Sequence, residues 1–128
     1  MAVSIVAASA GALQALNGVL MIAMPGSWFS LVPGVSDAGP FNLHFVVDVG
    51  LIYVLAGIGL VIAAWRENRT LATWAASWPL AHAGFHLILW LAHEVPSGAA
   101  LWAQLLGVVG LSCTGFVAAM RVGSSVRD

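Results

Sequence analysis

The stretch Phe41–Trp65, FNLHFVVDVGLIYVLAGIGLVIAAW, decides the fold. Its 25 residues include one charged side chain, Asp48. About 20 apolar residues suffice for a helix to cross the roughly 30 Å hydrocarbon core of a bilayer. A transmembrane strand needs only about 9–11 residues and alternates polar with apolar, which this run does not. It reads as a transmembrane helix.

Three comparable runs surround it. The first is Ala2–Met24, ending at Pro25-Gly26 and followed by a turn-rich stretch, Ser27–Pro40. The third is Leu71–His93, separated from the second by Arg66-Glu67-Asn68-Arg69 and stopped by Glu94-Val95-Pro96-Ser97-Gly98. The fourth is Ala99–Met120, followed by a polar tail, Arg121–Asp128. The first run lacks a positive n-region and exceeds the roughly 7–15 apolar residues of a signal peptide, so it reads as a retained helix. The expectation is an all-α, integral membrane four-helix bundle in a single domain, with helices near 2–24, 41–65, 71–93 and 99–120.

Composition agrees. The chain has 128 residues, 61% of them hydrophobic and 7% charged. Soluble domains use about 45–50% apolar residues, and a chain this short buries only about two-thirds of its unfolded surface. A soluble enzyme, a disordered chain and a secreted disulfide scaffold are therefore excluded. Four arginines, no lysine and no basic run leave no electrostatic footprint for nucleic acid. The single Cys113 excludes an internal disulfide and a CxxC redox pair.

Orientation follows from the arginines. Arg66 and Arg69 lie between the second and third runs, and Arg121 and Arg127 follow the fourth. Four spans put all of them on one side, together with both termini. The opposite loops carry Asp37 and Glu94 and no basic residue. The positive-inside rule makes the arginine side cytoplasmic, in a multi-pass protein of the cell's inner (plasma) membrane. Trp28, Trp90 and Trp102 then fall near the outer ends, Trp65 and Trp74 near the inner ones, and Trp78 lies deeper as a packing residue. Glycines inside the runs let helices approach closely; Gly107, Gly110 and the Gly57/Gly59 pair are candidate contact faces, within the bundle or with a partner. Pro79 is expected to bend the third helix just before His82.

Ionisable groups inside a span cost about 2.5–3.5 kcal/mol at its centre and are functional suspects. Here they are His44 and Asp48 on the second helix, and His82, His86 and His93 on the third. At about 100° per residue, His44 and Asp48 share a face, as do His82 and His86; His93 falls about 20° from His82. Glu94 points about 100° from that stripe, at the membrane edge. At about 1.5 Å per residue, Asp48, His86, Asn17 and Gln104 all lie roughly 10 Å below the outer ends of their helices. That is one polar layer in the outer leaflet.

Imidazole nitrogens with a carboxylate oxygen are transition-metal ligands. His44, Asp48, His82 and His86 supply the four donors of a tetrahedral site, with His93 and Glu94 as additional ligands near the mouth. Asn17, Gln14 and Gln104 would hold the imidazole N–H groups from behind. Copper, iron and zinc all fit such donors. One b-type haem, held by His44 with His86 or His93, is an alternative. So are a purely structural network, in which Asp48 bonds His86 to pin two helices, and proton or quinone chemistry. Ser112 and Cys113 read as small packing residues in the inner half. No catalytic residue is assigned, because no serine or cysteine sits at the histidine level with a base.

The segment from Phe41 to Tyr53, with Asn42-Leu43-His44-Phe45 followed by Asp48, resembles the helix-two opening of uncharacterised members of the small bacterial inner-membrane proteins loosely called DoxX-like. The resemblance covers the chain as a hydropathy pattern and helix two as a motif. It implies an oxidoreductase-associated or accessory role in the membrane and carries over no catalytic residue. A chain with so little mass outside the bilayer is expected to act in or with a larger membrane complex, or as a homo-oligomer. It reads as a metal-binding component or a non-catalytic accessory subunit rather than an enzyme on its own.

Overall fold

A computed structural model describes residues 2–124. All regular structure among them is helical. α1 spans Ala2–Ala23, α2 Pro25–Leu31, α3 Leu43–Trp65 and α4 Arg69–Ala92. The last rod joins α5, Gly98–Trp102, through a π-helical stretch, Ala103–Gly110, to α6, Leu111–Ala119. Three helices are long and apolar enough to cross a membrane: Ala2–Ala23, Leu43–Trp65 and Gly98–Ala119. α4 is 24 residues long and more polar, carrying Arg69, Thr70, Thr73, Ser77, His82 and His86. Arg127, used in the orientation argument, lies outside the described residues.

Local chemistry sets the helix ends. The Asn42 side-chain oxygen accepts from Phe45 N at 3.1 Å, and that of Asn68 accepts from Leu71 N at 3.0 Å. Each satisfies one of the orphan donors of a helix start. α3 consequently begins two residues later than its apolar run, and α4 two residues earlier. The linking turn shrinks to Arg66–Asn68, where Glu67 adopts a positive φ of 50°. The turn-rich reading of Ser27–Pro40 needs correcting, because α2 runs to Leu31 and Ser36–Ala38 forms a 3-10 turn. Pro25 explains α2: at a first helical position its missing N–H costs nothing and its φ is already helical.

The interior is made of small residues. α1 buries Ala7, Ala10, Gly11, Gln14, Gly18 and Met21, spaced by three and four as one helical face. α3 answers with Gly50, Gly57, Leu60 and Ala63 among others. The large apolar side chains turn outward, with Leu55 72% and Leu91 89% exposed. Water-soluble folds do the reverse. An outward apolar face of this kind is compatible with a lipid bilayer around the helices.

α1 packs most extensively on α3, and the contacts continue α3 to α4, α4 to α6 and α6 back to α1. At the α1–α3 seam a Cβ on Gly18 would stand 2.5 Å from the Gly50 carbonyl oxygen, and one on Gly11 2.6 Å from that of Gly57. The pairs 11/57 and 18/50 advance in opposite directions, so the helices are antiparallel. Gly59 faces the Ala75 Cβ, and Gly115 the Ala10 Cβ. A Cβ on Gly107 would meet nothing within 4 Å, and one on Gly110 meets the Leu105 oxygen of its own helix. Of the glycines expected at contact faces, Gly57 and Gly59 thus face a neighbouring helix closely, whereas among the described residues no other helix comes within 4 Å of a Cβ placed on Gly107 or Gly110.

The seam predicts a sharp contrast. Gly57→Ala pushes a methyl into the backbone of Gly11 and Ala15 and should cost about 1–3 kcal/mol, as overpacking does. Gly107→Ala fills open space and should be neutral, or stabilising by up to about 1 kcal/mol through helix propensity. Thermal unfolding of the two variants in detergent micelles checks both.

Candidate functional site: an aromatic and histidine column

Four side chains on α4 follow one another at intervals of four: Trp78, His82, His86 and Trp90. That spacing stacks them along one helical face. Tyr53, buried on α3, closes the lower end of the column. Its ring meets Trp78 edge-on at 5.1 Å and His82 at 5.9 Å. Trp78 and His82 are stacked, 5.1 Å apart and 10° from parallel. His82 then meets His86 edge-on at 4.9 Å.

The upper end is polar. His86 Nδ1 lies 3.0 Å from Gln104 Oε1, and Trp90 Nε1 lies 3.1 Å from the same oxygen. An indole nitrogen can only donate, so the shared atom acts as acceptor, as a carbonyl oxygen does. His86 must therefore carry its proton on Nδ1 to donate to it. In the neutral ring, Nε2 then carries the lone pair. Gln104 sits in the π-helical stretch, a form that recurs at functional sites and arises here next to Gly107 and Gly110.

The other candidate residues lie elsewhere. His44 Nε2 approaches Asp48 Oδ2 at 3.1 Å, and the two side chains are 90% and 53% exposed. They form a pair on the outward face of α3. The four expected donors are thus joined two and two, His44 with Asp48 and His82 with His86. Among the described residues no three His, Cys, Asp or Glu side chains come together as a metal-holding group.

His93 follows the last residue of α4, its N–H bonded to Leu89 O, and Glu94 comes next; both are exposed. Asn17 accepts from Trp28 Nε1 at 3.0 Å and donates to the Met21 sulfur at 3.6 Å. Gln14 is 1% exposed between α1 and α6, with its Oε1 unpartnered among the described residues. Neither amide bonds an imidazole; Gln104 does. Ser112 is buried as a packing residue, whereas Cys113 is exposed and so does not pack inside.

Tyr53, Trp78 and Trp90 belong to the column and were not among the residues expected to form a site. The signal for two of them was present: the interval Trp78–His82–His86–Trp90 repeats every four residues. No family model, no curated protein and no solved structure matches the chain.

Gln104 holds two donors from α4 at once, so Gln104→Leu leaves both unpaired. The expected loss is about 0.5–1.5 kcal/mol for each bond, the usual net worth of a hydrogen bond, since both donors are only partly buried. Nitrogen NMR of the imidazoles should show His86 as the Nδ1–H tautomer in the native chain and a shifted population in the variant.

Proposed function

We propose that this chain is a four-span protein of the cell's inner membrane, with both termini cytoplasmic. It serves a larger membrane complex by presenting His82 and His86 to a transition metal. The observation that carries the reading is the bond from His86 Nδ1–H to Gln104 Oε1. Metal-ligating histidines characteristically donate their second ring N–H to an oxygen acceptor, which fixes the tautomer and aims the free nitrogen. Gln104 supplies that acceptor, and the 4.9 Å spacing of the rings puts a second imidazole alongside.

Two imidazoles are half of a tetrahedral set. The remaining donors come from another chain of the complex, in keeping with a protein that has little mass outside its helices. Copper, iron and zinc all accept imidazole ligands, and availability selects among them. α4 is read here as the fourth span: it is as long as the others, and its polar residues lie in its first turns or in the column.

A second reading is favoured by the column itself. The edge-on contacts of Tyr53 with the stacked pair Trp78 and His82, and the sharing of Gln104 by His86 and Trp90, also fasten α4 to its neighbours. Under that reading the histidines are structural and the chain is a non-catalytic accessory subunit.

Elemental analysis and a visible spectrum of the protein, purified with its partners in mild detergent, separate the two. Copper, iron or zinc at a fixed ratio to the chain is expected. It should be lost in His82→Ala and His86→Ala, and bound about 10–100-fold more weakly in Gln104→Leu. Asp48→Asn should leave it unchanged. A Soret band would identify haem b at His86 instead, and variants that lose stability with no metal at any stage would establish the structural role.

Topology has its own test. In a Cys113→Ser background, cysteines placed at Ser36 and Ser97 should react with an impermeant maleimide from outside. One at Asn68 should not; the reverse pattern would invert the orientation.

A further inference from the structure

A groove of about 380 Å³ runs between the first turns of α1 and the last turns of α6. Val3 and Val6 form one wall, Cys113, Thr114 and Val117 the other, and Arg121 stands at its end. Nearly all of its surface is apolar. From Cys113 to the end of α6 at Ala119 is about 9 Å of helix, and Arg121 stands two residues beyond in the turn that follows. Half of a bilayer's hydrocarbon core is about 15 Å. The groove therefore fits within one leaflet, with a guanidinium at the headgroup end.

The charges are one-sided. Among the described residues no carboxylate lines the groove and Arg121 makes no ion pair. Glu67 and Arg69 line a separate recess with Gly123 and Ser124. A ligand suited to this place has an extended apolar tail and an anionic head. Guanidinium pairs strongly with phosphate, and a headgroup that brings its own cation would gain less from it.

We infer that the α1–α6 groove is a binding site for one anionic phospholipid, its acyl chain between Val6 and Val117 and its phosphate on Arg121. The site rests on the reading that these helices span the membrane and is independent of the metal. Arg121 faces the cytoplasmic leaflet in the proposed topology, where anionic lipids attract basic residues close to the membrane.

Native mass spectrometry of the full chain, released from micelles containing added phosphatidylglycerol or phosphatidylcholine, tests it. One phosphatidylglycerol should be retained with about a five-fold preference, the usual gain from a single basic residue at a membrane surface. Arg121→Gln, an exposed position, should abolish the preference, and Arg121→Lys should keep most of it. Arg69→Gln should leave it intact, and Val6→Trp, which fills the groove, should lower retention of both lipids. Equal retention of the two lipids by the native chain, or a preference that survives Arg121→Gln, would overturn the site. Failure of the span reading would show separately, in the labelling of Ser36, Ser97 and Asn68.

Discussion

The approach of the α1 backbone to the α3 backbone is the constraint from which the rest of the molecule follows. At Gly11/Gly57 and Gly18/Gly50 each helix rests on the other's main chain, with no room for a methyl group between. Lipid tails are as apolar as leucine, so nothing expels these helices from their surroundings toward one another. Dispersion at short range is what remains, and it needs close, extended surfaces. With that seam set, Leu60, Ala63 and Ala64 are carried against Ala72, Ala76 and Ala118, making a small-residue core with α4 and α6. Toward the Pro25 end the filling changes to Met21, Val46 and Tyr53, backed by Trp28 and Trp78. Tyr53 can reach the α4 column because α3 is already held in place by its glycines.

The column has two kinds of order in sequence along one helix face. Its lower part is rings on rings, where edge and face contacts set orientation. Its upper part is a three-body hydrogen bond in which a single carbonyl oxygen serves an imidazole and an indole. That oxygen does more than tie the last rod to α4. It settles which nitrogen of His86 holds the proton, so a side chain on one helix determines the chemistry available on another.

Much of the fold was legible in the sequence because length and hydropathy alone define apolar rods of this size. The positions of Asn42 and Asn68 as caps, and of Pro25 as a helix start, were legible in principle as well. What hydropathy does not show is which face of each rod turns inward, since every face is apolar. Side-chain size shows it. Asp48 lies two residues before Gly50, about 160° round the helix from it, and so points away from the seam. The i, i+4 pairing of His44 with Asp48 was readable, as was that of His82 with His86. The facing of one pair to the other was not, because it depends on helix rotation. Gln104 and His86 were expected at one depth, and depth sufficed there because the two helices are neighbours. The π-helical stretch left no mark on the apolar pattern at all.

That stretch changes how the last rod tolerates insertions and deletions. A π turn takes up more residues than an α turn, so eight residues in this form unwind the rod relative to a regular helix. Gln104 at its start is thereby aimed at α4, while Ser112 and Gly115 beyond its end face the interior and α1. The two ends of one rod are kept in phase with two different neighbours by the residue count between them. Loss of one residue from Leu105–Gly110 would favour a return toward ordinary α geometry and swing one end out of alignment. The residue count of the segment, more than its composition, sets that alignment.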